Sequence, residues 1–191
     1  MNRRKAIGSI LLLAGAGTAV ISGFRFHQLY KTPDLRKLSE YRALIAALAE
    51  TIIPETDTPG AKAAGVDAFI INMVMDCTSK KEQNKFIEGL DEVTAYTYRK
   101  YHRSFVDSSA NEQQAVAAYF EKRDRPYKGI AGKVSHKLMG DSFFIILKKY
   151  TVMGYCTSQI GATRGLAYDY VPGKYIGCVT LQPGQKCWAT D

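Results

Sequence analysis

Glu55, Asp57 and Asp67 crowd into one stretch, IPETDTPGAKAAGVDAF at residues 53–69, with two prolines, two glycines and two threonines. Carboxylates this close could hold a cation or divide the work of general acid and base. A calcium loop of the hand type needs a dense alternation of oxygen ligands with glycine at the sharp turn, and this stretch has no such layout. An acid–base pair needs a pocket and a positioned partner, and neither is readable around Glu55 or Asp57. A connector explains more of the residues. Pro54 stops a helix, Thr58-Pro59-Gly60 makes a turn, and Gly65 permits a tight approach before Asp67.

The remaining chemistry-bearing side chains are sparse. Cys77, Cys156, Cys178 and Cys187 form none of the Cys-x-x-Cys pairs of zinc or iron–sulfur sites, and no haem-attachment motif. In an oxidising compartment they read as disulfide candidates. Cys178 pairs best with Cys187, because Pro183-Gly184 between them can reverse the chain, and such a closure contributes roughly 2–3 kcal/mol. Cys77 and Cys156 read as buried thiols or a second bridge, and a bond from the tail to a partner subunit is the rival. His27, His102 and His136 share no pattern with a carboxylate or a cysteine and read as solvated. A Gly-x-Ser-x-Gly elbow, a phosphate loop and His-Glu-x-x-His are all absent from the sequence. Catalytic, cofactor-binding and metal-ligating residues are therefore assigned to none of these positions.

AYTYRKYHR, residues 95–103, interleaves aromatics with bases, but on a helix those side chains point around the cylinder and build no stacking platform. Lys122, Arg123, Arg125, Lys128, Lys133 and Lys137 form a second basic cluster. Both read as solvated faces, with an acidic protein partner next and nucleic acid behind it.

Helices must position these residues. Leu35, Leu38, Tyr41, Leu44, Ile45, Leu48 and Ile52 recur at spacings of three and four, predicting one helix from Pro33-Asp34 to Pro54. Val66, Phe69, Ile70, Met73, Val74 and Cys77 predict a second helix. A third runs from about Lys81 to Tyr101 with Phe86, Leu90, Val93 and Thr97 inward. Ser109-Ala110-Asn111-Glu112 is a capping box opening a helix with Val116, Tyr119 and Phe120, which ends before Pro126. A last helix is predicted over about 132–158 with Leu138, Phe143, Ile146, Leu147, Tyr150 and Met153. From Gly161 onward glycines and prolines dominate, so a long irregular tail is expected, packed over the helices. The fold class is all-α, about five helices.

The first residues, MNRRKAIGSILLLAGAGTAVISGF, carry a short basic region and then an apolar run too short and glycine-rich for a comfortable membrane span. Arg3-Arg4 resembles a twin-arginine export signal, and an uncleaved N-terminal anchor is the alternative. Residues 10–20, ILLLAGAGTAV, imitate a dinucleotide turn, but Val20 stands where the third glycine belongs and no strand–helix–strand alternation follows. The chain thus divides into a leader or anchor at 1–30 and a single helical domain at 31–191. At 46% hydrophobic and 23% charged residues it is a folded globular chain rather than a disordered one. Its formal charge of +8 favours acidic partners, though Arg3, Arg4 and Lys5 supply part of it.

IPETDTPGAKAAGVDAFI after an amphipathic helix, and GYCTSQIGATRGLAYDYVPGKYIGC at residues 154–178, resemble the gluconate 2-dehydrogenase subunit 3 family. The order of leader, helix, loop, helical middle and glycine-rich tail is similar too. Cys156, where an aromatic is expected, and the 182–191 extension with Cys187 depart from the pattern. The resemblance implies a small (gamma) accessory subunit, not an enzyme by itself. Its partner would be a large FAD-dependent dehydrogenase of the glucose–methanol–choline type that oxidises sugars or sugar acids. FAD would sit in that partner, a c-type cytochrome would accept electrons, and this chain would carry the export signal to the periplasm for both. Contacts are expected from the loop, at Pro54, Glu55, Thr56, Asp57, Pro59 and Gly60, and from the later segment, at Tyr155, Pro172, Gly173 and Tyr175. One alternative is a free-standing helical binding protein held at the membrane surface by its leader. Another is a small enzyme using Glu55, Asp57 or a histidine.

Overall fold

The 3–4 spacing of apolar residues produces helices where the sequence predicts them. In the computed structural model, residues 30–126, 129, 140–171, 173–174, 177–178, 180–181 and 183–189 are described. The leader with Arg3 and Arg4 lies outside the described residues, as do His27, Lys128, Lys133, His136, Lys137, Leu138, Pro172 and Tyr175. The helices are α1 (Arg36–Glu40), α2 (Arg42–Ile52), α3 (Val66–Asp76), α4 (Lys80–Tyr101), α5 (Ala110–Arg123) and α6 (Phe143–Thr157). A π-helical turn, Gly161–Gly165, follows α6. Among the described residues the fold is all-α, with no strand and no helix long and apolar enough to cross a membrane.

The single helix expected before Pro54 is divided at Tyr41, whose φ of −85° and ψ of 7° leave the helical region. The division is slight, because Tyr41 N–H still donates to Lys37 O at 3.0 Å and Ile45 N–H to Tyr41 O at 2.9 Å. Pro54 does stop α2 at Ile52, and Ile53 is extended as the residue before a proline must be.

The core is built from the inward positions of all six helices. Leu38, Ile45, Leu48, Val66, Ile70, Val74, Phe86, Leu90, Val93, Val116, Phe120, Phe143 and Leu147 all belong to one buried cluster. Each such side chain contributes roughly 1.5–3 kcal/mol by leaving water. Helix α6 lies at the centre, against α2, α3, α4 and α5. Two glycines bring it close. A Cβ at Gly89 would overlap the Phe143 ring, and one at Gly154 would stand 2.7 Å from Phe69 Cδ1. Phe143 then packs at 5.4 Å from Phe86 and 6.1 Å from Phe120, between ring centroids.

Four expectations are corrected. Tyr119 and Met153, named in the apolar patterns of their helices, are exposed, and Tyr119 stacks on Tyr96 with centroids 4.4 Å apart. Cys77 is an exposed residue at the C-terminal end of α3 rather than a buried thiol. Helix α6 begins at Phe143, not near residue 132. Gly140 has a left-handed φ of +70° and Ser142 is extended, so no helix runs through them. The tail packs on the helices only near its start. Beyond Ala167 its described residues are exposed almost throughout, and it pairs with itself instead.

Candidate functional site

The acid that organises the 53–65 loop is Glu50, in the last turn of α2. Its Oε1 accepts Glu55 N–H at 2.8 Å and its Oε2 accepts Lys62 N–H at 2.7 Å. One carboxylate thus ties both ends of the turn, with charge-assisted bonds. Gly60 makes this feasible, because a Cβ there would overlap the Glu50 carboxylate. The close approach predicted for Gly65 therefore belongs to Gly60. Gly65 has open space around it and is needed for another reason, a left-handed φ of +67° at the position preceding α3. Ala61 N–H donating to Ile53 O at 2.9 Å closes the loop's neck.

The three acids picked out by the sequence do not converge. Asp67 is buried and its Oδ2 accepts Arg42 Nε at 2.6 Å, pinning the start of α3 to the start of α2. Asp57 is exposed and accepts the Thr56 hydroxyl at 2.9 Å inside the turn. Glu55 is exposed, and it is its backbone that makes the bond to Glu50. A shallow hollow beside Pro54 is lined by Glu50, Thr51, Pro54, Ala110, Gln113 and Gln114, away from Asp57 and Asp67. Among the described residues no three His, Cys, Asp or Glu side chains are grouped to hold a metal ion.

The loop is held from outside by α6 and the turn after it. Tyr155, buried near the end of α6, donates its hydroxyl to Pro59 O at 2.7 Å. Gly165 packs on the Tyr155 ring so closely that a Cβ would overlap the hydroxyl, and one at Gly161 would overlap the Tyr155 carbonyl. The two sequence signatures, one around residue 59 and one around 154–165, are therefore two halves of one structural joint.

A family model described as Gluconate 2-dehydrogenase subunit 3 matches residues 39–173, which contain both halves of that joint. The chain belongs to the gluconate 2-dehydrogenase subunit 3 family. That family is one of accessory subunits of a dehydrogenase complex. Searches of curated proteins and of solved structures find no match.

Within this subunit 3 fold the expected contact residues separate into two kinds. Pro54, Glu55, Thr56, Asp57 and Gly173 are exposed, while Pro59 is half-buried. Gly60 and Tyr155 are buried and shape the joint from inside, so neither is a surface contact of the subunit. All four cysteines are free thiols: Cys77, Cys178 and Cys187 are exposed and Cys156 is half-buried. His102 ends α4 with a left-handed φ of 55°, exposed and edge-on to Tyr98. Some of the basic residues singled out in the sequence are engaged within the subunit. Arg123 pairs with Glu92 and Asp124 and stacks over Phe120, while Lys100 lies 5.6 Å from the Tyr96 ring centroid.

Two further clusters escaped the sequence reading. Asp91 accepts Tyr41 Oη at 2.5 Å and Lys37 Nζ at 3.1 Å. The Asp91 hydrogen bond, helped by burial and the carboxylate's charge, pushes the Tyr41 phenol up to about 12, so it stays protonated as a strut between α1–α2 and α4. Glu82 takes Asp141 N–H at 2.9 Å and the Ser79 hydroxyl at 2.7 Å, and Asp124 Oδ2 takes Phe144 N–H at 3.0 Å. Together these fix the start of α6. The Ser79-Lys80-Lys81-Glu82 spacing is a readable helix-start signal, but its link to residue 141 is not.

Proposed function

We propose that this chain is the non-catalytic small subunit of an FAD-dependent sugar or sugar-acid dehydrogenase complex of the glucose–methanol–choline type. In this reading it escorts the large catalytic subunit through twin-arginine export and stabilises it in the periplasm. FAD belongs to the large subunit, and electrons leave through a c-type cytochrome. The family match over residues 39–173 carries the reading.

The internal use of the loop's polar groups supports it. Glu50, Asp57 and Asp67 are engaged in holding the turn and the two helices it joins. The Arg3-Arg4 leader supports the export role, since the twin-arginine route carries proteins that have already folded and the large subunit can acquire its flavin beforehand.

The test is to express the large subunit with and without this chain, and with an Arg3→Lys/Arg4→Lys chain. Omission should leave the large subunit poorly soluble, and the double substitution should retain a soluble, flavin-loaded complex in the cytoplasm. Normal export and activity of the large subunit alone would sink the proposal.

A further inference from the structure

The family match ends at residue 173, yet the chain continues to 191 and its described continuation turns back. Pro183-Gly184 makes a turn with Gly184 at a left-handed φ of +73°. The returning strand-like segment meets the matched part at Ala167. Ala167 N–H donates to Cys187 O at 2.8 Å and Ala189 N–H donates to Ala167 O at 2.8 Å, a single bridge between Ala167 and Trp188. Lys186 Nζ adds a bond to Arg164 O at 2.9 Å. The described residues between Ala167 and Trp188 thus belong to a loop whose two ends are fastened together. Its base rests on the Gly161–Gly165 turn, which packs on Tyr155.

What the loop displays is unusual for a solvated segment. Tyr170 is 86% exposed, Leu181 79%, Val171 71%, Trp188 57% and Tyr168 46%. Single exposed apolar residues need no explanation, but five large ones on one loop and its clasp do. Tyrosine and tryptophan are the side chains most enriched where binding energy concentrates. A loop closed at its base also has less conformational freedom to lose when it is covered.

We propose that this clasped loop is a docking element for the large dehydrogenase subunit, with Tyr170 and Trp188 as its anchors. The inference rests on the accessory-subunit reading above. Electrostatics favours that occupant over a second copy of the chain. The copies share a net charge of +8, and the loop and its base add Arg164, Lys174 and Lys186 against Asp169, so two such surfaces repel. Residues 174–191 lie outside the family match, so the clasp joins a segment beyond the matched region to the matched fold in one surface.

The test uses the full chain co-expressed with a tagged large subunit. Tyr170→Ala/Trp188→Ala removes the anchors, Ala167→Pro removes the N–H that closes the clasp, and Tyr98→Ala on α4 serves as an exposed aromatic control. Loss of both anchors should weaken the complex by about tenfold or more, as hot-spot truncations do. The clasp variant should weaken it less, and the control should match wild type, with helical content unchanged in all. Anchor variants that hold the large subunit as tightly as wild type overturn the docking role. So does anchor-dependent self-association of the chain alone, or anchor-dependent binding to vesicles of anionic lipid. A wild-type chain that fails to bind the large subunit overturns the accessory reading itself, so the two failures are distinct.

Discussion

The Glu50 carboxylate and the absent side chain of Gly60 occupy the same space, and that makes the loop testable at single residues. Glu50→Ala removes two charge-assisted bonds at a partly exposed site and should cost about 1–2 kcal/mol. Gly60→Ala should cost a similar amount by a different route, since its methyl group displaces the carboxylate that makes those bonds. The two losses are one loss counted twice. In the double variant the cost should therefore stay near that of Glu50→Ala alone, as read from urea unfolding in a double-mutant cycle. Costs that simply add would show that the carboxylate and the glycine act independently. None of this was legible in the sequence. Glu50 sits in an amphipathic helix with no local sign of its task, while Glu55, Asp57 and Asp67 stand out by their crowding. Hydrogen bonds to backbone groups further along the chain leave no pattern in residue types.

At the level of helices the sequence was far more readable, because burial on one face imposes a period that composition cannot hide. Val66, Ile70 and Val74 of α3, the inward residues of α4 and the Ser109–Glu112 capping box sit where the pattern places them, with Ser109 N–H donating to Glu112 Oε2 at 2.8 Å. The start of α6 was not readable, since it depends on Glu82 meeting Asp141, 59 positions away. That junction has a pH signature. Burial pushes the Glu82 carboxyl up, but the Ser79 hydroxyl and Asp141 N–H outweigh it, and the net position lies below the usual glutamate range. A carboxyl lowered on folding adds stability above its unfolded-state value, and that increment disappears as the pH falls through the folded-state value. Glu82→Gln, of the same size, should therefore be less stable than wild type near neutrality by about 1 kcal/mol, a figure kept small by solvent screening. The gap should close as the pH drops below the ordinary glutamate range. A gap that stays constant from neutral to acid would mean that the charge of Glu82 plays no part in holding α6.

Across the whole molecule, the segments that carry the core are distinct from the one proposed for docking. The buried hydrophobic core runs from Leu38 to Tyr155, and no described residue after Ala167 belongs to it. The described tail is fastened by a few bonds at Ala167, Ala189 and Lys186, none of them a buried residue. Each such bond contributes only about 1 kcal/mol and is opposed by the entropy of ordering an irregular segment. Ending the chain after residue 173 should therefore change the unfolding free energy of the helical domain by less than about 1 kcal/mol. At this size that corresponds to a melting-temperature shift of no more than about 4 °C. Gly154→Ala, which forces Phe69 away from α6, gives the contrast: overpacking of a tight helix contact costs roughly 1–3 kcal/mol and should lower the midpoint visibly. Thermal and urea unfolding of the three chains side by side decides the matter. A truncated chain that melts far below the full-length one would place the tail inside the folding unit. One that melts beside it leaves the exposed aromatics without a stabilising role in the isolated chain, as the docking proposal expects.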